Sequence, residues 1–355
     1  MNLLYNFLFF ILFSSVYFLV NCQNVPKARY KQTSALVGTN LYFFGGETSF
    51  YVATNEVWYL DLSKSFNTII PPWHEVIGMP VGYAYGSACV SPIDNYTVFL
   101  VGGRTSLPNT TNYILSSAVY EFNTKTSQWS TPSINNFNSS FARRNEMQAV
   151  VDSEGRIYSF GGTDYDNSTT STNYNDMNIL DITTMTWSTQ FQSQSLAYID
   201  YAATLLPNGL IIYISGREVL ALSGFFVDMN MIRTFNTNSY TWDTKIANGS
   251  TILSRVGHST VLTQDGNIIL YGGASLNSSG APATIFSDLA VLNTNTWVWS
   301  IPSTFGTKPP PLMSHSAALY KNYMIIAFGQ NATEVYSKDI YILDTRNYSW
   351  VISVI

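Results

Sequence analysis

Three histidines, one recurring arginine/tyrosine position and a periodic set of acids are the residues of this chain that could do chemistry. His74, His258 and His315 are the only imidazoles, and a metal site needs several such ligands to converge on one ion. His258 and His315 fall at the same point of successive repeats, which leaves convergence at a common axis open, but recurrence at one register reads first as architecture. No metal and no cofactor is expected. Asp61, Asp181 and Asp344 also recur with the period, so closing turns is their first role, through bonds to backbone N–H groups ahead of them. There is no Gly-x-Gly-x-x-Gly between a strand and a helix and no Gly-x-Ser-x-Gly elbow, so neither nucleotide chemistry nor a serine nucleophile is implied. Aligned on a glycine turn, one position reads Arg29, Tyr83, Arg144, Tyr198, Arg255, Leu312, and Arg104 and Arg217 follow two of the turns. Arg and Tyr suit recognition, and Arg forks suit carboxylates. These seven Arg and Tyr residues are expected around the mouth of a central channel as ligand contacts, the competing role being structural pairing with blade carboxylates.

The elements that must position them repeat six times, at intervals of 54 to 59 residues. A strand-like run ends at Gly45-Gly46, Gly102-Gly103, Gly161-Gly162, Ser215-Gly216, Gly272-Gly273 and Gly329-Gln330, and Trp73, Trp129, Trp187, Trp242, Trp299 and Trp350 follow. A fixed long period means one supersecondary unit copied in tandem. Each unit shows a first strand of small residues (Ser34-Ala35-Leu36-Val37), a polar turn, a strongly apolar second strand (Leu41-Tyr42-Phe43-Phe44), and a third strand ending in Leu/Phe followed by Asp/Asn. The Trp lies seven residues beyond that Leu or Phe except in the first repeat, which carries six extra residues. Small residues suit a crowded centre and large aromatics a widening periphery. This taper predicts an all-β, six-bladed β-propeller of four-stranded antiparallel blades over residues 23–355. How the ring closes is not legible; an edge strand over Asn24 to Ala28 is one expectation.

These motifs resemble the kelch repeat over residues 29 to 355: the double glycine, the third strand ending in Asp or Asn, the spaced Trp, and Arg255-Val256-Gly257-His258 before a first strand. The fourth repeat departs from the pattern with Ser215-Gly216 and lacks the acid seen at Asp176, Asp288 and Asp339; the sixth reads as replacing its second glycine with Gln330. Kelch-type propellers are similar in outline to galactose and glyoxal oxidases, and that resemblance implies a radical-copper site of two Tyr and two His. No matching Tyr-His or Cys context is found here, so an oxidase relative, degenerate and inactive, is the second expectation and a non-enzymatic binding module the first.

Leu3 to Val20 is almost wholly apolar, so residues 1–22 read as a signal peptide or, being long enough to span a bilayer, a signal anchor. Sequons at Asn95, Asn109, Asn138, Asn167, Asn248, Asn277, Asn331 and Asn347 fit a secreted or cell-surface glycoprotein. Six of them are expected on the face formed by the loops between strands 2 and 3 and the strand 4-to-1 connections: Asn109, Asn138, Asn167, Asn248, Asn277 and Asn331. Cys22 lies in the leader, and Cys89 is expected as a buried thiol. Only 11% of residues are charged, 15% are aromatic and the formal net charge is -5, so no basic footprint for nucleic acid exists. The expected partner is an extracellular protein or a glycan, met on the 2–3/4–1 loop face, with membrane contact only through the N-terminal segment.

Overall fold

The computed structural model describes residues 24–114, 118–137, 141, 144–165, 171–192, 197–220, 223–278 and 280–354. The N-terminal apolar segment, Asn138 and Asn167 therefore lie outside the described residues.

The six repeats fold as six blades of four antiparallel strands, each blade's four strands coming from one repeat; the fifth sheet gains a fifth, parallel strand, Asn248–Gly249, at its outer edge. In the first, Thr33–Val37, Asn40–Phe44, Val57–Asp61 and Trp73–Val76 pair in chain order from the centre outward. The other innermost strands are Ser87–Val90, Ala149–Val151, Ala202–Leu205, Ser259–Leu262 and Ser316–Tyr320. Each packs against the innermost strands of both neighbours, and Thr33–Val37 meets Ser316–Tyr320, so the blades close into a ring. Side chains there are small, as the crowded axis requires: Ser34, Ala88, Ala149, Ala203, Thr260 and Ala317 share one register.

The spacing from Leu or Phe to Trp has a direct cause. Leu60, Phe122, Leu180, Phe235, Leu292 and Leu343 sit opposite Trp73, Trp129, Trp187, Trp242, Trp299 and Trp350 in the pairing of strands 3 and 4. These pairs fill the gaps between blades; the cluster closing the seam joins Phe43, Leu60 and Trp73 of the first blade to Ile325, Phe328 and Ile342 of the sixth. The residue after the Leu or Phe closes the next turn, its side chain accepting backbone N–H bonds at every blade: Asp61 from Ser63, Asn123 from Lys125, Asp181 from Thr183, Asn236 from Asn238, Asn293 from Asn295 and Asp344 from Arg346.

The glycine turn is the joint between neighbours. The N–H groups of Gly46, Gly103, Gly162, Gly216 and Gly273 donate to the carbonyls of Tyr83, Arg144, Tyr198, Arg255 and Leu312 in the next blade, and Gly329 donates to Arg29 across the seam. This corrects the register of the sixth turn: Gly329 is its second residue and Phe328 its first, so it is the first glycine that is replaced. The backbone explains the asymmetry. First positions have φ of 51° to 66°, which Ser215 and Phe328 can adopt, whereas second positions have φ of 86° to 100°. A Cβ at Gly329 would also stand 2.8 Å from His315 Cβ.

Among the described residues ring closure uses no exchanged strand. Residues 24–28 form no strand, contrary to the expected edge strand; Tyr30 makes an isolated bridge to Glu47. At the outer rim, Ser353–Val354 pairs antiparallel with Phe66–Asn67, which lies in the extra residues of the first repeat.

Candidate functional site

The structure buries the whole Arg/Tyr register inside the blades. Arg29, Tyr83, Tyr198, Arg255 and Leu312 are 0% exposed and Arg144 is 1% exposed. Arg255 shows why: Nε donates to the Leu253 carbonyl at 2.9 Å, Nη1 to the Gly272 carbonyl at 3.0 Å, and the fork grips Asp288 at 2.6 and 2.9 Å. Arg29 makes the same set with Lys27, Gly45 and Glu56, and Arg144 reaches Gly161 and Asp176. Tyr198 substitutes for the arginine by donating its hydroxyl to the Ser215 carbonyl. The expectation that Arg29, Tyr83, Arg144, Tyr198 and Arg255 line the channel mouth is therefore corrected. A guanidinium buried inside its blade, stacked on a ring and bonded to carbonyls and a carboxylate of that blade, is not presented to a ligand.

A signal for this pairing lies in the sequence. The residue opening strand 3 is Glu56, Asp176 and Asp288 where the register carries Arg29, Arg144 and Arg255, but Ala118 and Met231 where it carries Tyr83 and Tyr198. In five blades acid and arginine are present or absent together, as a buried charge pair requires; the sixth keeps Asp339 where the register carries Leu312, and there the carboxylate is exposed and accepts from the Ser337 hydroxyl at 3.2 Å.

The channel mouth is formed two residues further along. Lys31, Tyr85, Glu146, Asp200, Gly257 and Ser314 occupy one slot in the six repeats, and all six have left-handed φ between 53° and 62°. Their backbones link around the axis: Lys31 N–H donates to the Ser314 carbonyl at 2.9 Å, Tyr85 to Lys31 at 3.0 Å, Glu146 to Tyr85 at 3.2 Å, Asp200 to Glu146 at 2.9 Å and Ser314 to Gly257 at 2.7 Å. The slot has one backbone conformation and six different side chains. A cavity of about 210 Å³ begins at this ring and runs down between the innermost strands.

Charge at the mouth is concentrated on the first four blades. The Lys31 ammonium crosses the axis from the first blade to Asp200 of the fourth, 3.6 Å away, and lies over the Tyr85 ring at 4.8 Å. Arg217 binds the other Asp200 oxygen at 2.9 Å and approaches Glu146 at 4.0 Å. Burial raises the Glu146 carboxyl above its usual range and the Asp200 charge adds to that; burial would raise Asp200 too, but Lys31 and Arg217 outweigh it and hold it low. Arg104 lies behind Tyr85, 4.3 Å over its ring and among Tyr51, Tyr113 and Tyr165 at 5.4 to 5.8 Å, with Glu47 3.5 Å away. Burial raises the Glu47 carboxyl. Arg104 and Arg217 are thus the two sequence candidates that the fold brings to the mouth, the first as a buried support for Tyr85 and the second as a partner of Asp200. On the fifth and sixth blades the corresponding positions are Gly257, Ala274, Ser314 and Gln330, small or uncharged.

Residues 32–273 and 225–354 match the KLHDC2/KLHL20/DRC7 Kelch-repeats domain, which together cover nearly all of the propeller. The chain belongs to the kelch-repeat family. Among curated relatives, Acyl-CoA-binding domain-containing protein 4 of Arabidopsis thaliana is 23% identical over 222 residues, covering 59% of this chain and 30% of that protein. Kelch domain-containing protein 3 of Rattus norvegicus is 34% identical over 99 residues, 28% of this chain and 24% of that one. The chain thus spans less than a third of the length of these relatives. The solved structure of YjhT superposes with a TM-score of 0.69 at 14% identity, covering 93% of this chain and 98% of that one, which is a likeness of fold.

Within the kelch frame the histidines divide. His74 is exposed and stacks on Tyr59 at 4.7 Å. His258 and His315 stand between innermost strands, and His315 Nε2 shares a 2.7 Å hydrogen bond with Ser259 Oγ. Among the described residues no three His, Cys, Asp or Glu side chains gather as a metal set. Cys89 is buried, and burial pushes its thiol up to about 12. Of the described sequons, Asn95, Asn109, Asn248, Asn277 and Asn347 are exposed, while Asn331 is half-buried and accepts bonds from Thr333 and Val335. Asn109, Asn277 and Asn331 lie on 2–3 loops as expected. Asn248 belongs instead to the outer rim, where Asn248–Gly249 runs parallel to the outer strand of the fifth blade. Among the described residues no helix is long and apolar enough to cross a membrane.

Proposed function

We propose that this kelch-repeat propeller is an exported, non-catalytic binding module that takes an extracellular protein on the 2–3/4–1 loop face, centred on the channel mouth. The observation that carries the reading is the slot of Lys31, Tyr85, Glu146, Asp200, Gly257 and Ser314, whose backbone conformation is held constant, with five hydrogen bonds linking its members around the axis, while its side chains range from cation to phenol, carboxylate and hydroxyl. Architecture explains the constant conformation but gives no reason for that particular set of side chains; variable groups on a rigid scaffold are where recognition resides. Export is supported by the apolar N-terminal run and by exposed sequons.

The test is affinity capture of extracellular proteins on three immobilised propellers: wild type, Lys31→Ala/Asp200→Ala at the mouth, and Lys125→Ala in a 3–4 turn. The partner is expected to be retained by wild type and Lys125→Ala and lost from the mouth variant at an unchanged melting temperature. Retention by all three refutes the site. Glycopeptide mapping of the secreted protein checks the export half, and unmodified Asn109 and Asn277 would remove that support.

A further inference from the structure

Several 2–3 loops rise from the blades as short hairpins, and the second arm of each has an outer edge, a row of backbone donors and acceptors that a fold must cover or blunt. In the first blade the arm Val52–Ala53 is covered by its neighbour: Ala53 bridges Thr110 of the second blade, and the Asn109 N–H donates to the Ala53 carbonyl at 3.0 Å. In the fifth blade the arm Pro282–Ile285 begins with a residue that has no N–H, and its pairing with Ala274–Leu276 is broken by a register shift. The fourth blade uses neither device. Ser223–Phe226 pairs with Arg217–Leu220 over four residues without a shift, Phe226 opposite Arg217 and Gly224 opposite Val219. It is the last strand of a sheet ordered Ala197–Ile199, Arg217–Leu220, Ser223–Phe226, and among the described residues no backbone pairs with its far side. Its residues, Ser-Gly-Phe-Phe, include no charge and no proline, the usual means of blunting an edge.

Which groups face outward follows from one bond. The Val227 N–H donates to the Gly216 carbonyl at 3.0 Å, toward the first arm. Direction alternates along an extended strand, so Phe225 turns its N–H and C=O the same way, while Gly224 and Phe226 turn theirs to the open edge. Gly224 is exposed, and a Cβ there would meet nothing closer than Arg217 Nη1 at 3.6 Å. Phe225 is 59% exposed. The edge is also tied to the mouth: Ile199 of the sheet's first strand precedes Asp200, and Arg217 of its middle strand binds Asp200 at 2.9 Å. Two strand spacings, about 10 Å, separate the first strand from the open edge.

We infer that Ser223–Phe226 is a strand-addition site, at which an extended segment of the protein partner pairs with the open edge of the fourth blade's hairpin. This rests on the loop face being the recognition surface, and it adds how the partner is held there. Gly224 and Phe226 each offer one N–H and one C=O, two residues apart along the strand. Another extended backbone presents acceptors and donors at that same alternate spacing, which singles out a polypeptide strand over a glycan or a lipid. Backbone pairing supplies the attachment without regard to sequence. The exposed Phe225 ring supplies the preference, for a segment with an apolar side chain opposite it. The uncharged edge sets no requirement for charge on the segment, and Arg217 and Asp200, already paired with each other, stand at the mouth side of the same sheet.

The test is a displayed library of random decapeptides selected on the intact wild-type protein, followed by affinities of the recovered synthetic peptides and amide hydrogen exchange of their complexes. Gly224→Pro and Phe226→Pro each delete an outward N–H that the hairpin itself does not use, at positions outside the left-handed region where an edge strand tolerates proline. Gly224→Ala and Phe226→Ala keep that N–H. Peptides are expected to bind wild type, to slow exchange at the Gly224 and Phe226 amides, and to bind each proline variant about tenfold more weakly than its alanine counterpart. Recovery of no peptide, free exchange at both amides in every complex, or equal affinity for the proline and alanine variants overturns the inference. Should a proline variant melt early, the exchange measured on wild type decides. Concentration-dependent dimerisation abolished by Gly224→Pro, with no peptide bound, would give the edge to a second copy of the chain and refute the partner. An extracellular protein lost on Lys31→Ala/Asp200→Ala but held equally by wild type and both proline variants would leave the proposed function standing and this site refuted.

Discussion

Replacing the Arg255–Asp288 pair by the residues the fourth blade uses tests whether buried charge in this ring is held by pairing. The perturbation is the cycle Arg255→Tyr, Asp288→Met and the double variant, copied from Tyr198 and Met231. Asp288→Met strands a guanidinium that is 0% exposed, though still bonded to the Leu253 and Gly272 carbonyls. The low end of the cost of an unpaired buried charge applies, about 3 kcal/mol. Arg255→Tyr leaves Asp288, whose side chain is 41% exposed and can rehydrate. Its cost is one lost carbonyl bond at Leu253 and poorer packing on Phe286, which the guanidinium covers at 4.2 Å, together about 2 kcal/mol. In the double variant the Tyr hydroxyl can take the Gly272 carbonyl as Tyr198 takes that of Ser215, with no charge left to solvate, so the loss is about 2 kcal/mol rather than about 5. Urea unfolding followed by tryptophan fluorescence and circular dichroism measures all four proteins. Additivity within about 0.5 kcal/mol, or an Asp288→Met variant within about 1 kcal/mol of wild type, would refute the reasoning.

Three further outcomes follow from the same geometry. Gly273→Ala, at φ 90° with a Cβ 2.8 Å from His258 Cβ and from the Val256 carbonyl, is expected to cost at least about 3 kcal/mol. Gly38→Ala, at φ 59° in open space, is expected to cost about 1 kcal/mol; urea midpoints of the two compare them directly. His315 is held near 3 by burial, below its free value, so its contribution is complete above about pH 6.5 and is lost as pH falls toward 3, by about 1.4 kcal/mol per unit. His315→Gln, which copies the residue the first blade carries at Gln32, should flatten the acid limb of a stability–pH profile by that slope, and an unchanged limb contradicts the assignment. Truncating the chain after Ile352 removes the pairing of Ser353–Val354 with Phe66–Asn67 and should lower the melting temperature by about 2–4 °C without altering the strand signal in circular dichroism.

The scaffold was legible because its causes are local and repeated. Leu60 and Trp73, or Phe122 and Trp129, must oppose each other across one hairpin, and Asn123 must cap the turn between them, so each repeat carries the same residues at nearly the same spacing. The site was misplaced by two residues for a physical reason. Arg29, Arg144 and Arg255 look like surface hot spots in a sequence, and only the accompanying Glu56, Asp176 and Asp288 betray that they are consumed inside the blade. Lys31, Tyr85, Glu146, Asp200 and Ser314 carry no mark of the left-handed backbone they adopt; Gly257 alone hints at it. The sixth turn was shifted by one because Phe328 takes a conformation that its five counterparts give to Gly or Ser.

By itself, then, the sequence determined the blade, the number of blades and the faces its loops must share, since these follow from hydrogen-bond and packing rules acting within one repeat. The tertiary structure decided everything that needed two repeats at once. It alone brought Lys31 of the first blade to Asp200 of the fourth and set the seam through Gly329 and Arg29. Contacts across the channel between blades that are not neighbours leave no periodic trace, because each joins a different pair of repeats.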